Sequence, residues 1–588
     1  MTNLTVVLLV LFSILAISAY LLWRWTIHYA YPKLRTTHTA DTLNDHEALN
    51  PIPSILEVSP RLDGHHRIAS LARLDLNIFF ISILLYLATH FISLQRFPIT
   101  FFADEAAQTA LAAGLVENGF RYEEELLPTY FFNADKYSLS VTVYLQIIPY
   151  LLFGKSIIVT RATSVLIGLA GVIAVSLALR KIFSTPYWWS GVLLMAIAPA
   201  WFMHSRTAFE SPIATSLYAL FLYSYFLYLY RSPKYFPLVL VTSALTFYSY
   251  NPARVIIVAT VTLLCVSDFR YHWKNRGMIL RYWWLFLLGL LPYLRFQIAH
   301  PFAGFDQLFL LNSYWIQDIP LSKKVLELGY QIMRGLSPFY WYFPHEQDLI
   351  RHVMKGYGHL LWITLPFTVV GLIVALKNVQ TSAYRVLLIA LLCAPLGGAM
   401  VETNVTRSLP FLVPITLLTA IGLSALIGRF VQSQKAYMVL SIVLLAVFSS
   451  ISLYMTQDAL RNGATWYKDY GLYGMQYGSP EVFEEINAIT ETSPGVRIIA
   501  SPYWANGASM LARFFMDDLD PLRWGVIDDF LAEDYPIDDM DIFMMLPDEY
   551  ERAKASNKIG DIHILKTVYF PDGRPGFTFA RIELVDHP

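Results

Sequence analysis

The chain has 588 residues, 56% of them hydrophobic and 15% charged, and its 43 Lys and Arg against 44 Asp and Glu leave a net charge of -1. Soluble globular chains carry about 25% charged residues, so this composition excludes a wholly water-exposed protein, and the lack of a basic excess excludes nucleic acid as a charge-recognised partner. The two cysteines, Cys265 and Cys393, stand far apart in apolar runs, which excludes a disulfide framework, a zinc motif or a redox pair.

A run of about 20 apolar residues is long enough to cross the hydrocarbon as a helix that satisfies its own backbone. Taken in chain order, such runs fall near 4–24, 75–95, 158–179, 187–204, 212–230, 235–250, 254–267, 282–299, 359–376, 385–400, 409–428 and 437–456. They predict an α-helical polytopic membrane protein with about 12 transmembrane helices. The apolar stretch 138–154 is short and contains Gln146 and Pro149, and reads as an interfacial helix. With this count every alternate loop is basic, from Arg61, Arg67 and Arg73 through Arg180 and Lys181, Arg270 to Arg281, and Arg429 and Lys435. Basic loops face the cytoplasm, so both termini are placed outside.

Residues 1–28 then form a retained N-terminal anchor helix, 29–73 a cytoplasmic linker, 74–456 the membrane domain and 457–588 an extracytoplasmic domain. His65-His66 in the linker reads as a solvated pair. The last domain has a soluble pattern: strand-like runs at Val496–Ala500 and Asp541–Leu546 alternate with helix-like runs at Gly507–Met516 and Asp548–Ser556. Two β-rich runs joined by Pro571-Asp572-Gly573 close it, so a small α/β domain is predicted. It holds no phosphate loop or nucleophile elbow, and its role reads as acceptor recognition or cover.

The first outer segment opens Phe101-Phe102-Ala103-Asp104-Glu105-Ala106 and runs on as a helix. Two carboxylates at the mouth of a span suit a general base acting on a hydroxyl; they equally suit a helix cap, with Asp104 as N-cap and Glu105 favouring the dipole. A second outer run, Trp201 to Pro212, contains His204, Arg206 and Glu210. The topology puts Glu210 on the same side as Asp104, while Arg206, four residues earlier, is also spaced for an ordinary helical ion pair. Lys136, ahead of the interfacial helix, and Arg407, in Glu402–Ser408, stand at headgroup depth. There they either meet a lipid phosphate or snorkel to the interface. The loop 300–358 is aromatic-rich, with Tyr314, Trp315 and Phe339–Phe343, and holds His345-Glu346; it reads as an interfacial belt or as a lid.

Taken in order, these positions resemble the C-type (GT-C fold) membrane glycosyltransferases, the family that includes protein O-mannosyltransferases and lipid A aminoarabinose transferases. The resemblance rests on Phe-Ala-Asp104-Glu105-Ala, on Lys136 ahead of the interfacial helix and on the break Leu179-Arg180-Lys181. It continues through Ser205-Arg206 to Glu210 and Arg407 before the span at 409–426, and so covers residues 74–456. It implies an inverting transfer of a sugar from a polyprenyl-phosphate donor to a glycan, lipid or protein acceptor on the extracytoplasmic side of the cell membrane. In the family the first-loop Asp is the catalytic acid/base, which implies Asp104 in that role with Glu105 and Glu210 in support. The loop Lys and the late Arg hold the carrier phosphate, which implies Lys136 and Arg407, with Arg206 and His204 beside the substrate. A divalent metal ion is an open cofactor, held by the carboxylates. Many members carry Asp where this chain has Glu210, and prolines where it has Tyr137-Ser138-Leu139. The competing class is a multi-pass transporter or flippase. Transporters usually show internal repeats with helices broken at mid-membrane, whereas the ionisable residues here gather at one face.

Overall fold

The computed structural model describes residues 65–133, 136–431, 433–533 and 537–585. The anchor expected at 1–28 and the linker expected at 29–73, as far as residue 64, lie outside the described residues. Lipid offers the backbone no hydrogen bonds, so the apolar runs must satisfy themselves as helices. Among the described residues seven helices are long and apolar enough to cross a membrane: Leu71–Phe91, Ile157–Lys181, Glu210–Tyr230, Arg276–Ala299, Ser382–Ala399, Val405–Gly428 and Gln434–Thr465. Three shorter apolar helices, Val141–Phe153, Asn251–Ser267 and Trp362–Lys377, accompany them. The run at 235–250 forms the 12-residue helix Phe236–Phe247.

The run at 187–204 departs from the expected span. It makes two seven-residue helices, Ser190–Ala196 and Pro199–Ser205, with Pro199 opening the second. Every residue from Tyr187 to Phe209 is buried within the protein. Its hydrophobicity therefore matches a protein interior and not a lipid-facing surface, a distinction that apolar content alone does not carry.

The bundle is drawn together where small residues meet. Gly371 and Gly422 let the helices Leu365–Lys377 and Leu412–Gly428 cross in backbone contact: a Cβ at Gly371 would strike the Leu418 carbonyl oxygen, and one at Gly422 the Phe367 carbonyl oxygen. Beside this crossing Thr368 and Thr419 share a hydroxyl hydrogen bond of 2.6 Å. Gly171 similarly admits Ser216, whose Cα would lie 2.7 Å from an added Cβ. Without a hydrophobic drive between helices in lipid, such close approach is what stabilises their association.

The carboxy-terminal region forms a five-stranded sheet in the order Leu522–Trp524, Arg497–Ala500, Asp541–Met545, Pro575–Leu584 and Ile559–Tyr569. The first three strands run parallel and the last two pair antiparallel. Its helices include Ala508–Phe515 and Pro547–Ala555, close to the predicted runs. The domain does not keep its core to itself. Phe101, Ala106 and Leu111 of the first loop pack in one buried cluster with Phe483, Ile498, Phe514 and Phe577 of the domain. Ser479 Oγ donates to the Phe101 carbonyl at 2.7 Å, and Gly507, at φ +68°, comes so close that an added Cβ would lie 3.0 Å from Ala103 Cβ.

The glycine crossing yields a direct expectation. Gly422→Val should force the two helices apart and lower stability by about 1–3 kcal/mol or more, the usual cost of overpacking, read as a lower thermal midpoint in detergent. Gly114→Ala, with nothing within 4 Å of the added carbon, should leave the midpoint unchanged or raise it. Equal midpoints for Gly422→Val and the parent would contradict the crossing.

Candidate functional site

The helix Ala103–Glu117 places the two first-loop acids at opposite ends of their expected roles. Its N-cap is Phe102, in extended conformation, so Asp104 lies inside the first turn and not at the cap. The capping function falls to Glu105, whose Oε1 accepts the Phe102 N–H at 3.3 Å, the back-reaching half of a capping box. Asp104 points outward and is exposed. Its Oδ1 accepts from Asn133 Nδ2 at 3.2 Å, across from the hairpin Tyr130–Asn133/Lys136–Leu139.

Asp104 opens into a cavity of about 330 Å³. Its wall brings together Asp104, Lys136, Glu210 and Arg407, four of the seven residues singled out in the sequence. They come from four separate segments. Glu210 begins the helix Glu210–Tyr230; Lys136 starts the second strand of the hairpin; Arg407 sits in the helical turn Val405–Ser408. Asn404 Oδ1 caps that turn by accepting the Arg407 N–H at 2.9 Å, and Arg407 Nη1 donates to the Glu402 carbonyl at 3.0 Å. Neither Lys136 nor Arg407 forms an ion pair with a carboxylate among the described residues.

The other three lie in the packing behind this wall. Glu105 is fully buried and bound by Arg161 through two hydrogen bonds, Nε at 2.8 Å and Nη2 at 2.9 Å, while the Ala208 N–H takes Oε2 at 3.0 Å. With both oxygens engaged, it holds the fold together instead of facing the cavity. Arg206 and Glu210 do not share a helix, since one helix ends at Ser205 and the next starts at Glu210. Its guanidinium donates to the carbonyls of Thr89, Ile92 and Phe97. His204 is buried and its Nδ1 bonds the Ala200 carbonyl at 2.7 Å, its ring stacked 5.6 Å from that of His352.

The wall also contains residues that the sequence reading passed over. Arg351 and His352 reach it from the loop 343–361, Tyr250 and Asn251 from the start of the helix Asn251–Ser267, and Gln476 and Asn506 from the carboxy-terminal domain. Arg351 stands within electrostatic reach of Asp104 and donates to the Gly474 carbonyl at 2.9 Å. Burial, with His204 and Arg351 nearby, holds the His352 imidazole well below its usual pKa, so it lines the wall as a neutral group. A basic residue within an aromatic loop was the available signal for Arg351. The aromatic loop itself divides: Tyr340, Trp341 and Tyr342 are buried, whereas Phe339 and Phe343 are exposed.

His345 stands with Asp348 and His359, their ligand atoms within 4.8 Å of one another. Burial works to raise the Asp348 carboxyl, but hydrogen bonds from His359, Val405 N–H and Tyr340 outweigh it and hold the pKa at about 2.

No protein-family model and no curated protein matches the chain. Solved structures do. ArnT, an aminoarabinose transferase from Cupriavidus metallidurans, bound to undecaprenyl phosphate, superposes with a TM-score of 0.51 at 11% identity, covering 87% of this chain and 97% of that one. The apo state of ArnT gives 0.51 at 12% identity, covering 85% and 97%. An Archaeoglobus fulgidus oligosaccharyltransferase with a tethered acceptor peptide gives 0.46 at 13% identity, covering 86% and 74%. The fold is that of the GT-C membrane glycosyltransferases.

Glu105 supplies the sharpest stability expectation. Glu105→Gln leaves Arg161 buried without its counter-charge, and breaking such a pair typically costs about 3–5 kcal/mol. The thermal midpoint of the purified variant should fall accordingly; a variant as stable as the parent would show that the pair contributes nothing.

Proposed function

We propose that the protein is an inverting glycosyltransferase that moves a sugar from a polyprenyl-phosphate donor to an acceptor hydroxyl, with the cavity on the extracytoplasmic side. The observation that carries this reading is the gathering of Asp104 with Lys136, Arg351 and Arg407 in one cavity at the ends of the spanning helices. The ArnT structure of the same fold contains undecaprenyl phosphate, which supports a polyprenyl-phosphate ligand.

The chemistry follows from those charges. The acceptor hydroxyl gives its proton to Asp104 as its oxygen attacks the anomeric carbon, and the C–O bond to the carrier phosphate breaks on the opposite face, inverting configuration. The leaving phosphate departs as an anion, so no second acid is needed, in contrast to a glycosidase with its two carboxyl groups. Lys136, Arg351 and Arg407 stabilise the charge as it grows, the electrostatic contribution that usually dominates such catalysis. Asn133 holds one oxygen of Asp104, directing the other toward the cavity. Glu210 orients the sugar or the base. Asp104 and Glu210 are the oxygen donors that would hold a divalent ion here, and such an ion would add positive charge beside the phosphate. Gln476 and Asn506 make the carboxy-terminal domain part of the acceptor side of the wall.

Because Asp104 is not the helix cap, replacing it separates chemistry from folding. Asp104→Asn should keep the thermal midpoint yet lower turnover by about 10²–10⁴, the usual contribution of a general base, measured as transfer of labelled sugar from polyprenyl-phosphate donors by reconstituted protein. Ordinary turnover in a folded Asp104→Asn variant would remove the base from this mechanism.

Sidedness is open to a separate measurement. Glu125→Cys, Tyr330→Cys and Asp520→Cys should react with an impermeant thiol reagent in intact cells, whereas Asn275→Cys should be silent. The reverse pattern would place the cavity at the cytoplasmic face.

A further inference from the structure

The two arginines of the cavity wall lie in loops far apart in the sequence, and one carboxylate ties those loops together. Asp348, three residues before Arg351, has a side chain only 1% exposed. Its Oδ1 accepts the Val405 N–H at 3.0 Å, and its Oδ2 accepts the Tyr340 hydroxyl and His359 Nε2–H, each at 2.8 Å. Val405 opens the turn Val405–Ser408 that carries Arg407. His345 completes the cluster as a hydrogen-bonding group: Nε2 donates to the Tyr340 carbonyl at 2.9 Å while Nδ1 accepts the Gln347 N–H at 3.2 Å. In that tautomer neither nitrogen has a lone pair for an ion, so the group is a hub of hydrogen bonds and not a metal centre.

We infer that Asp348 is a positioning residue: by joining the segment of Arg351 to the turn of Arg407, it sets the spacing at which the two guanidinium groups grip one phosphate. This rests on the reading of the cavity as a lipid-phosphate site. A carboxylate suits the place because three donors converge on it from three directions. A carboxamide in its place has one acceptor oxygen, and its NH₂ would face a donor. The two loops would then lose their shared anchor, and the cations their common register.

The test uses the full-length purified protein and a polyprenyl monophosphate as probe. Asp348→Asn alters the hub, and Val405→Pro removes the N–H that Asp348 accepts while keeping an apolar side chain of similar size. Proline is tolerated at the first position of a helical turn, and Asn404 before it is already extended, at φ -142° and ψ 167°, as the residue before proline must be. Each variant should bind the probe roughly tenfold more weakly, the loss expected when one charge-assisted hydrogen bond no longer holds its partner. The donor KM should rise more than kcat falls, and each variant, though its thermal midpoint falls with the lost hydrogen bonds, should remain folded at the assay temperature. In a background already carrying Arg351→Ala and Arg407→Ala, Asp348→Asn should change binding no further, a silence that a general folding defect would not produce. Parental binding in both single variants, or an undiminished loss in the arginine-free background, would overturn the inference. Stoichiometric zinc in the parent that disappears in Asp348→Asn would also overturn it. A parent that does not bind the probe would sink the phosphate reading itself.

Discussion

The geometry of the cavity depends on two buried arginines that hold a stretch of irregular backbone in place. Between the span Leu71–Phe91 and the helix Ala103–Glu117 the chain has few ladder partners, and buried carbonyls without donors are costly. Arg161 meets those of Leu94, Pro98 and Thr100, and Arg206 those of Ile92 and Phe97 together with that of Thr89 in the last turn of the span. Arg161 uses its remaining donors on Glu105, so all five of its N–H groups are committed. The stretch is thus fixed at both edges, and Asp104, four residues beyond Thr100, inherits its place from it.

This arrangement explains why one acid of the adjacent pair faces solvent and the other does not. On a helix, consecutive residues point about 100° apart, so once Glu105 turns inward to Arg161, Asp104 must turn toward the opening. The charged groups left on the cavity wall are then three cations, Lys136, Arg351 and Arg407, and three carboxylates, Asp104, Glu210 and Asp348, the last with its oxygens taken up by Val405, Tyr340 and His359. His352, held neutral, adds no charge to this wall.

Much of the fold was legible because hydrophobic runs and turn chemistry report local structure directly. The spans at 158–179, 212–230 and 409–428, the strands around Ile498 and Phe543 and the hairpin closed at Asp572-Gly573 all appear close to where the pattern put them. The run at 187–204 did not read correctly, since a helix buried among other helices is as apolar as one in lipid. On the cavity wall, Asp104, Lys136, Glu210 and Arg407 are the residues that loop position and the family resemblance had singled out. Glu105, Arg206 and His204 shared those positions but point into the protein, and a side chain's direction at a helix end depends on tertiary partners such as Arg161 that lie far away in the chain. Arg351, Gln476 and Asn506 reach the wall through long-range packing, which no local spacing encodes.

The shared core between the first loop and the carboxy-terminal sheet bears on how such a protein changes over time. A soluble domain tethered by a linker can be exchanged, lost or inherited from elsewhere, because its interior is its own. Here Phe483, Phe514 and Phe577 find part of their interior on the helix that carries Asp104, and Gly507 leaves no room for a side chain between them. Cutting the domain away would strip that helix of its cover, and grafting on a stranger would leave the same surface mismatched. The two parts must therefore vary in step, and the domain's sequence should drift at the pace of the membrane region rather than as a separate module.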